Sequence, residues 1–246
     1  MRQLPRFEEI AADLREAIVR GTFTPGEPLP TIDALAEQFH VSRDTVLNAL
    51  RALRDEGWLD SRRGRGTFVR LRRSRAVRYS PEHPRGTAFA DSAAWHLIGV
   101  EVTTASPREA DWLSIPTGEG IVVRRRTVTC DGRVAQLHIS YLPFDLCEGT
   151  ELADAGIVRG GIYRGLTRVG HSPTRRTEKV TTRMPTREEA AALALGPRTP
   201  VLEVIARTFG SALGDHSRVL EALYIVAAGD AAVLMYSDLP VDPARV

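Results

Sequence analysis

The sequence offers little that would place the protein in a membrane or in an oxidising compartment. No stretch of its 246 residues approaches the roughly 18 uninterrupted apolar residues of a transmembrane helix. Four charged side chains interrupt Met1–Ile10, so the apolar run of a signal peptide is missing. The chain has only two cysteines, Cys130 and Cys147. We therefore expect a cytoplasmic protein, unattached to a membrane, whose cysteines are thiols rather than a structural disulfide.

Patterns of catalysis and metal binding are missing as well. The two cysteines have no partner spacing typical of zinc, and the chain has no G-x-S-x-G nucleophile motif. We expect no metal, no cofactor and no catalytic residue. The six histidines are scattered and have no nucleophile pattern beside them: His40, His83, His96, His138, His171 and His216.

The basic charge is almost entirely arginine and is concentrated near the amino terminus. Lys179 is the only lysine, a bias that a GC-rich genome would produce, so arginine at a single position is no evidence of a bidentate contact. The formal net charge of +2 conceals 15 Arg against 11 acidic residues in positions 1–80. Positions 61–80 contain eight Arg and no acidic residue. Such a block is usually a solvated tail or linker, but beside a DNA-binding motif it also suits a phosphate backbone.

The first 57 residues have the periodicity of three helices. Apolar residues recur at spacings of three and four from Phe7 to Arg20, and a Pro-Gly-rich turn follows. Thr31 is placed to cap a second helix that ends near Phe39. Ser42 is placed to cap a third, from Arg43 to Glu56. The polar residues of the third helix lie away from its apolar stripe: Arg43, Thr45 and Asn48.

A short hairpin follows the third helix. Residues 58–62 and 67–69 are typical of strands around the turn Arg63-Gly64-Arg65-Gly66. Three helices and a hairpin within 70 residues form a winged helix-turn-helix. In this arrangement the third helix offers N–H groups to phosphate and side chains to base edges, and an Arg-rich wing can lie in the adjacent minor groove. The sequence therefore predicts binding to double-stranded DNA.

Residues 5–70 resemble the GntR family of bacterial regulators. The motifs that carry the resemblance are Pro25-Gly26, Leu29-Pro30, Leu35-Ala36, Val41–Val46, Ala49-Leu50, Leu53, Glu56-Gly57 and Gly64–Val69. The resemblance implies operator contacts from Ser42, Arg43 and Thr45, and a close approach of the wing to the minor groove at Gly64. The full set of predicted DNA-binding residues is Thr31, Ser42, Arg43, Thr45, Asn48, Arg63, Gly64 and Arg65.

Two positions depart from the family pattern, which often has arginine at both. Asp33 would repel a nearby phosphate, and Leu47 can touch a thymine methyl but cannot read guanine. These departures affect the expected operator sequence rather than DNA binding itself.

The rest of the chain alternates predicted strands and helices. Residues 70–88 lack apolar periodicity and contain prolines, which is typical of a tether. Asp131-Gly132 is typical of a hairpin turn. We predict an α+β protein in which a winged helix-turn-helix (1–72) is joined by a linker (73–90) to an antiparallel-sheet domain (91–246). Strands are expected at 96–104, 121–129, 134–142, 174–184, 201–209, 219–227 and 231–237, and helices at 107–113, 162–169 and 186–195.

This second half resembles the chorismate-lyase-like UTRA domain of the HutC subfamily of GntR regulators. The resemblance implies a domain that binds an effector and pairs two chains into a homodimer. Its motifs are Val123–Arg126, Asp131-Gly132, Ser140–Pro143, Arg183–Thr186, Glu188–Ala190, Leu220–Ala222 and Leu239-Pro240.

Arg124 and Arg126 are candidates to hold an anionic effector. Because they are two residues apart, they share one face of a strand and can clamp a phosphate or carboxylate. A solvent-facing charged strand would have the same spacing. In the resembling family the residues at these places bind an anionic part of the effector, commonly a sugar phosphate or a small acid.

Three further residues complete the predicted effector site. His138 stands where relatives often have glutamate, and it can donate as well as accept a hydrogen bond, although a structural histidine is equally consistent. Glu221 is a candidate acceptor, and Tyr163 a candidate ring wall or hydroxyl donor. Gly161 stands where relatives often have serine, so one contact is missing relative to them.

The prediction as a whole is a homodimeric repressor that binds operator DNA and is controlled by a small anionic effector. Two alternatives stay open at this point, because fold does not fix function. One is an enzyme on the chorismate-lyase-like scaffold. The other is a DNA-binding protein that responds to no effector.

Overall fold

A computed structural model of the chain describes residues 5–62, 66–70, 75–78, 93–130, 133–211, 218–229 and 232–235. The chain folds into two compact units. The first combines the residues up to Ser74 with Met184–Pro200, and the second contains Arg75–Arg183 and the residues from Val201 onward.

The first unit begins with three helices, α1 (Arg6–Val19), α2 (Ile32–Phe39) and α3 (Arg43–Asp55). Their predicted caps are present, since the Thr31 side chain accepts from Ala34 N at the start of α2 and the Ser42 side chain accepts from Thr45 N at the start of α3. The apolar stripes of the three helices meet in one core, which includes Ile10, Leu14, Leu35, Val46, Leu50 and Leu53.

The wing is an antiparallel hairpin of β1 (Leu59–Arg62) and β2 (Gly66–Val69). The chain before α2 runs along its outer side, where Leu29 N donates to Thr67 O at 2.8 Å and Gly26 N donates to Val69 O at 2.9 Å. The predicted winged helix-turn-helix is thus confirmed. The predicted contacts at the hairpin tip, Arg63, Gly64 and Arg65, lie outside the described residues.

The second unit is built on a six-stranded antiparallel sheet with the order β4-β5-β6-β9-β8-β7. The predicted α+β class with an antiparallel-sheet domain is confirmed, although the Asp131-Gly132 turn lies outside the described residues. The strands are β4 (Ala93–Thr104), β5 (Gly120–Cys130), β6 (Arg133–Pro143), β7 (Ser172–Arg183), β8 (Val201–Ser211) and β9 (Arg218–Ala228).

Different elements pack on the two faces of the sheet. On one face α4 (Pro107–Leu113) packs against β6 and β9, and its Trp112 stacks on Tyr224 with ring centroids 5.4 Å apart. On the other face lies the segment 144–169, which ends in α5 (Ile162–Arg168). Five apolar side chains of this segment pack on the sheet, where they meet Val122, Leu142 and Leu220. The five are Leu146, Leu152, Val158, Ile162 and Leu166.

Two details differ from the sequence expectation. The predicted tether contains a strand, β3 (Arg75–Arg78), which pairs in parallel with β10 (Ala232–Met235). The connection between β7 and β8 belongs to the first unit, although it lies within the second predicted domain. It holds the short helix α6 (Arg187–Ala192), and its Arg198 N donates to Asp55 O at the end of α3 at 3.0 Å.

None of the described helices is long and apolar enough to cross a membrane.

Candidate DNA-binding surface and effector cavity

The start of α3 presents a small exposed hydroxyl cluster. The Ser42 and Thr45 hydroxyl oxygens are 2.9 Å apart, and Ser42 Oγ also accepts from Thr45 N at 3.3 Å. The positive end of the helix dipole and the first-turn side chains therefore face solvent together, which is the geometry by which a recognition helix meets DNA.

Arg43, the first residue of α3, forms an ion pair with Asp33 in the first turn of α2. Both side chains are exposed, at 63% and 67%. The sequence identified each residue but not the pair, because the pairing depends on how closely the starts of the two helices approach. Asp33 therefore engages the side chain for which the family resemblance implies an operator contact.

Asn48 lies one turn further along α3, on its exposed side. Its Oδ1 accepts from Arg51 Nη1 at 3.1 Å, so the two residues extend the polar surface of α3 beyond the hydroxyl cluster. Leu47, the second departure from the family pattern, is half-buried. Among the predicted DNA contacts, the structure describes Thr31, Ser42, Arg43, Thr45 and Asn48, and Thr31 is exposed at the start of α2.

In the second unit, a cavity of about 310 Å³ lies between the sheet and the chain around Ile157–Tyr163. This volume is at the lower end of the range of small-molecule pockets. Every residue predicted to hold an effector lines it: Arg124, Arg126, His138, Tyr163 and Glu221. The structure also brings Arg176 of β7 to the same cavity.

Arg124 lies in the cavity wall, and its guanidinium is engaged by backbone carbonyls. Its Nη1 donates to Leu152 O at 2.8 Å and to Asp154 O at 2.9 Å, and its Nη2 donates to Gly156 O. Burial, assisted by the charge of Arg126, lowers the pKa of Arg124 from its ordinary value. Arg124 therefore anchors the loop 152–156 to the sheet, a role that the two-residue spacing on the strand did not reveal.

Arg126 is the second arginine on this face of β5. Its Nη2 donates to Ser140 Oγ at 2.8 Å, and its guanidinium carbon lies 5.2 Å from the centre of the Trp95 ring. Its Nε has no hydrogen-bond partner among the described residues. Burial lowers the pKa of Arg126, and the negative charge of Glu221 opposes that shift.

His138 faces Arg126 across the β5–β6 pair. It is 1% exposed, and its Nε2 lies 2.6 Å from Gln136 Oε1, while its Nδ1 has no partner among the described residues. Burial lowers the pKa of His138 well below its ordinary value, and the charges of Arg126 and Arg176 act in the same direction. The imidazole is therefore neutral at physiological pH, with Nε2 donating to Gln136 and the Nδ1 lone pair left as an acceptor.

Tyr163 connects α5 to the strands β8 and β7 at one edge of the sheet. Its hydroxyl lies 2.9 Å from Thr208 Oγ1 and accepts from Arg176 Nη1, while Arg176 Nε donates to Glu178 Oε1 at 2.7 Å. Sequence reasoning missed Arg176. The available signal was the alternation along β7, which puts Arg176 and Glu178 on one face.

Glu221 completes the cavity from β9. The residue is 2% exposed and lines the same cavity as Arg126 and Tyr163. A buried carboxylate normally has donors around it. Glu221 therefore adds a carboxylate to the cavity wall, to which a donor group of a bound molecule could donate.

Comparison with known proteins identifies the domains that contain the helix α3 and the cavity. Residues 6–69 match the model of the bacterial regulatory proteins of the gntR family, and residues 91–220 match the UTRA domain. The chain is 31% identical over 228 residues to an HTH-type transcriptional regulator of Streptomyces coelicolor, covering 81% of each. It is 30% identical over 179 residues to the HTH-type transcriptional repressor PhnF of Mycolicibacterium smegmatis, covering 72% of this chain and 71% of that one.

Solved structures give the same result. A crystal structure of a GntR-family transcriptional regulator aligns with 97% of this chain and 98% of its own, with a TM-score of 0.69 and 27% sequence identity. The matched families and relatives are transcription regulators rather than enzymes.

Proposed function

Because the chain belongs to the GntR family of bacterial regulatory proteins and carries a UTRA effector-binding domain, we propose that it is a cytoplasmic, homodimeric repressor released from its operator by a small anionic molecule. DNA binding and transcription regulation follow from the family. The sign of regulation, the dimer, the class of effector and the residues in contact are the proposal.

The observation that carries the proposal is the convergence of polar side chains on one cavity. Arg126, His138 and Glu221 come from three different strands and Tyr163 from α5, and all four line the same cavity. The Arg126 Nε and the His138 Nδ1 have no hydrogen-bond partner among the described residues. Buried polar groups that stay incompletely paired cost free energy, so a ligand that completes their hydrogen bonds binds with a gain. A sugar phosphate and a small organic acid both have oxygens that can accept hydrogen bonds from Arg126.

In the proposed mechanism, two chains pair through their UTRA domains and place two α3 helices on a palindromic operator. Ser42, Arg43, Thr45 and Asn48 supply the contacts from α3, Thr31 contacts the backbone, and the wing contacts come from Arg63, Gly64 and Arg65. Effector binding favours an arrangement of the dimer that fits the operator less well. A coupling free energy of about 1–3 kcal/mol suffices to change operator affinity 5- to 150-fold.

The DNA half of the proposal is tested on a promoter fragment from the protein's own locus. Fluorescence anisotropy of the full-length Arg43→Ala variant should show a loss of about 1–3 kcal/mol in specific binding. Arg20→Ala, at the carboxyl end of α1, is the matched control because it removes one surface arginine far along the chain from α3. Equal losses in both variants would reject a specific role for Arg43.

Repression is tested in cells with a reporter behind the same promoter. Deleting the gene should raise reporter expression if the protein represses, and a fall would show activation. Sedimentation of the free and DNA-bound protein tests the dimer, and a monomer in both states would refute it. Operator binding that no small anion weakens would favour the effector-independent alternative.

A further inference from the structure

We propose that the effector is a small carboxylic acid with an apolar body and one hydroxyl or ammonium group, and not a sugar phosphate. This inference rests on the proposed function, since it names the class of molecule that the cavity described above would bind. Four features of the cavity support it.

The first feature is that Arg124 donates three of its five N–H groups to the loop 152–156. Its two terminal nitrogens already donate to the carbonyls of Leu152, Asp154 and Gly156. A phosphate group has three acceptor oxygens and about two negative charges, and proteins bind it with several charged donors. Turning Arg124 toward a ligand would leave three loop carbonyls without their partner, so the two-arginine clamp suggested by the sequence would compete with the contacts that hold the loop.

The second feature is that Arg126 makes the fewest hydrogen bonds of the three arginines that line the cavity, Arg124, Arg126 and Arg176. Among the described residues its guanidinium makes one hydrogen bond, to Ser140, out of the five that it can donate. The charge of Arg176 is paired with the carboxylate of Glu178, and its Nη1 donates to Tyr163. One planar guanidinium matches the two oxygens and single charge of a carboxylate.

The third feature is the negative charge of Glu221. This carboxylate lines the same cavity as Arg126, the residue proposed to bind the anion, and its charge acts on both Arg126 and Tyr163. In a buried cavity it would repel a phosphate dianion more strongly than a carboxylate. Glu221 and the Nδ1 lone pair of His138 are both acceptors, so the ligand should bring a donor such as a hydroxyl or ammonium group.

The fourth feature is the apolar lining. Leu97, Val158, Ile162 and Leu223 face the cavity beside the Trp95 ring, and Ile157 stands at its rim with 84% of its surface exposed. A hydrocarbon or aromatic body would remove this apolar surface from water, which favours binding. The hydroxyl groups of a sugar would find few partners along such walls.

The experiment measures ligand binding to the full-length protein by thermal shift and isothermal titration. The probes are 3-phenyllactate and phenylalanine, which have a carboxylate, an aromatic body and a donor group. They are compared with 3-phenylpropionate, which lacks the donor, with glucose 6-phosphate, and with inorganic phosphate. Binding of at least one of the first two in preference to the last three is the expected result.

Variants assign the binding to the cavity. Arg126→Ala should weaken the acid roughly 10- to 100-fold, as expected for the loss of a charged hydrogen bond. Glu221→Gln should weaken the donor-bearing acids toward the affinity of 3-phenylpropionate. Arg125→Ala is the matched control, because Arg125 is the neighbouring residue of β5, points to the opposite face and pairs with Glu101 at the surface. It should bind as the wild type does.

The possible failures are distinguishable. Binding of glucose 6-phosphate that depends on Arg124 and Arg126 would overturn the carboxylic-acid class while supporting an effector cavity. Failure of both donor-bearing acids to bind at millimolar concentration would also overturn the class. The proposed function is judged separately, by operator binding and reporter expression, neither of which needs these probes.

Discussion

Asp33 and Arg43 form an ion pair that joins the first turn of α2 to the first residue of α3. Both side chains are largely exposed, so the pair itself adds little to the free energy of unfolding. Its consequence is for binding, because a guanidinium engaged by Asp33 must exchange that partner for DNA.

Replacing Asp33 with asparagine should therefore strengthen DNA binding. The change frees Arg43 and removes one negative charge near the phosphates, and the salt dependence of log K should become steeper by up to about one unit of slope. Fluorescence anisotropy over a series of salt concentrations measures both quantities. Glu16→Gln is the control, since it neutralises an exposed acidic residue of α1 that pairs with Arg20. Weaker binding by the Asp33 variant would mean that the ion pair positions Arg43 for the operator.

Replacing Arg124 with lysine should lower the free energy of unfolding by about 2–3 kcal/mol. Lysine keeps the charge, but its single ammonium group cannot reproduce the fork that binds three carbonyls. Urea denaturation measures the change, and Arg125→Lys should stay within about 0.5 kcal/mol of wild type because its ion pair is exposed. An Arg124→Lys variant as stable as wild type would show that the guanidinium does not hold the loop.

His138 should make the protein less stable as the pH falls. Its pKa in the folded protein is well below the ordinary value, so the unfolded chain binds a proton that the folded chain refuses. The contribution is therefore complete above the unfolded pKa of about 6.5 and is lost as the pH falls toward the folded pKa, with a slope of at most about 1.4 kcal/mol per pH unit.

The measurement is the free energy of unfolding between neutral pH and pH of about 5. His138→Gln should have a flatter profile than wild type, and His96→Gln, at an exposed position on β4, is the matched substitution for comparison. Parallel profiles for wild type and His138→Gln would contradict a neutral buried imidazole.

Cys147 should resist alkylation until the protein unfolds. Burial raises the pKa of its thiol to about 12, and the reactive species is the thiolate. Cys130, which is half-buried, should react first with iodoacetamide. Mass spectrometry of peptides from native and urea-treated protein would locate the label, and rapid native labelling of Cys147 would contradict its burial.

Local sequence signals account for most of the helices and strands. The caps Thr31, Ser42 and Thr186 mark helix starts because their side chains accept from a backbone N–H three residues later. The period of two correctly put Arg124 and Arg126 on one face of β5. These features depend on residues a few positions apart.

The contacts that escaped prediction join residues far apart in the chain. The carbonyl partners of Arg124 lie in a loop without periodicity, 28 to 32 residues away. Arg176 reaches Tyr163 only because β7 lies at the end of the sheet beside α5. The sequence predicts a tether where the strand β3 lies. The strand was missed because its partner, β10, is about 150 residues further along the chain, so no local pattern indicates the pairing. Pairing over such separations depends on topology rather than on local pattern.

The division of the chain into units has a practical consequence for protein engineering. The unit that contains α3 is discontinuous in sequence, since Met184–Pro200 belongs to it. A hydrogen bond from Arg198 N to Asp55 O joins this segment to the end of α3. Gly196 is fitted to the same place, where an added Cβ would lie 2.9 Å from that oxygen. A chimera that transplants only residues 1–74 onto another effector domain would leave this carbonyl without its partner. Such a graft should carry the 184–200 connection with it.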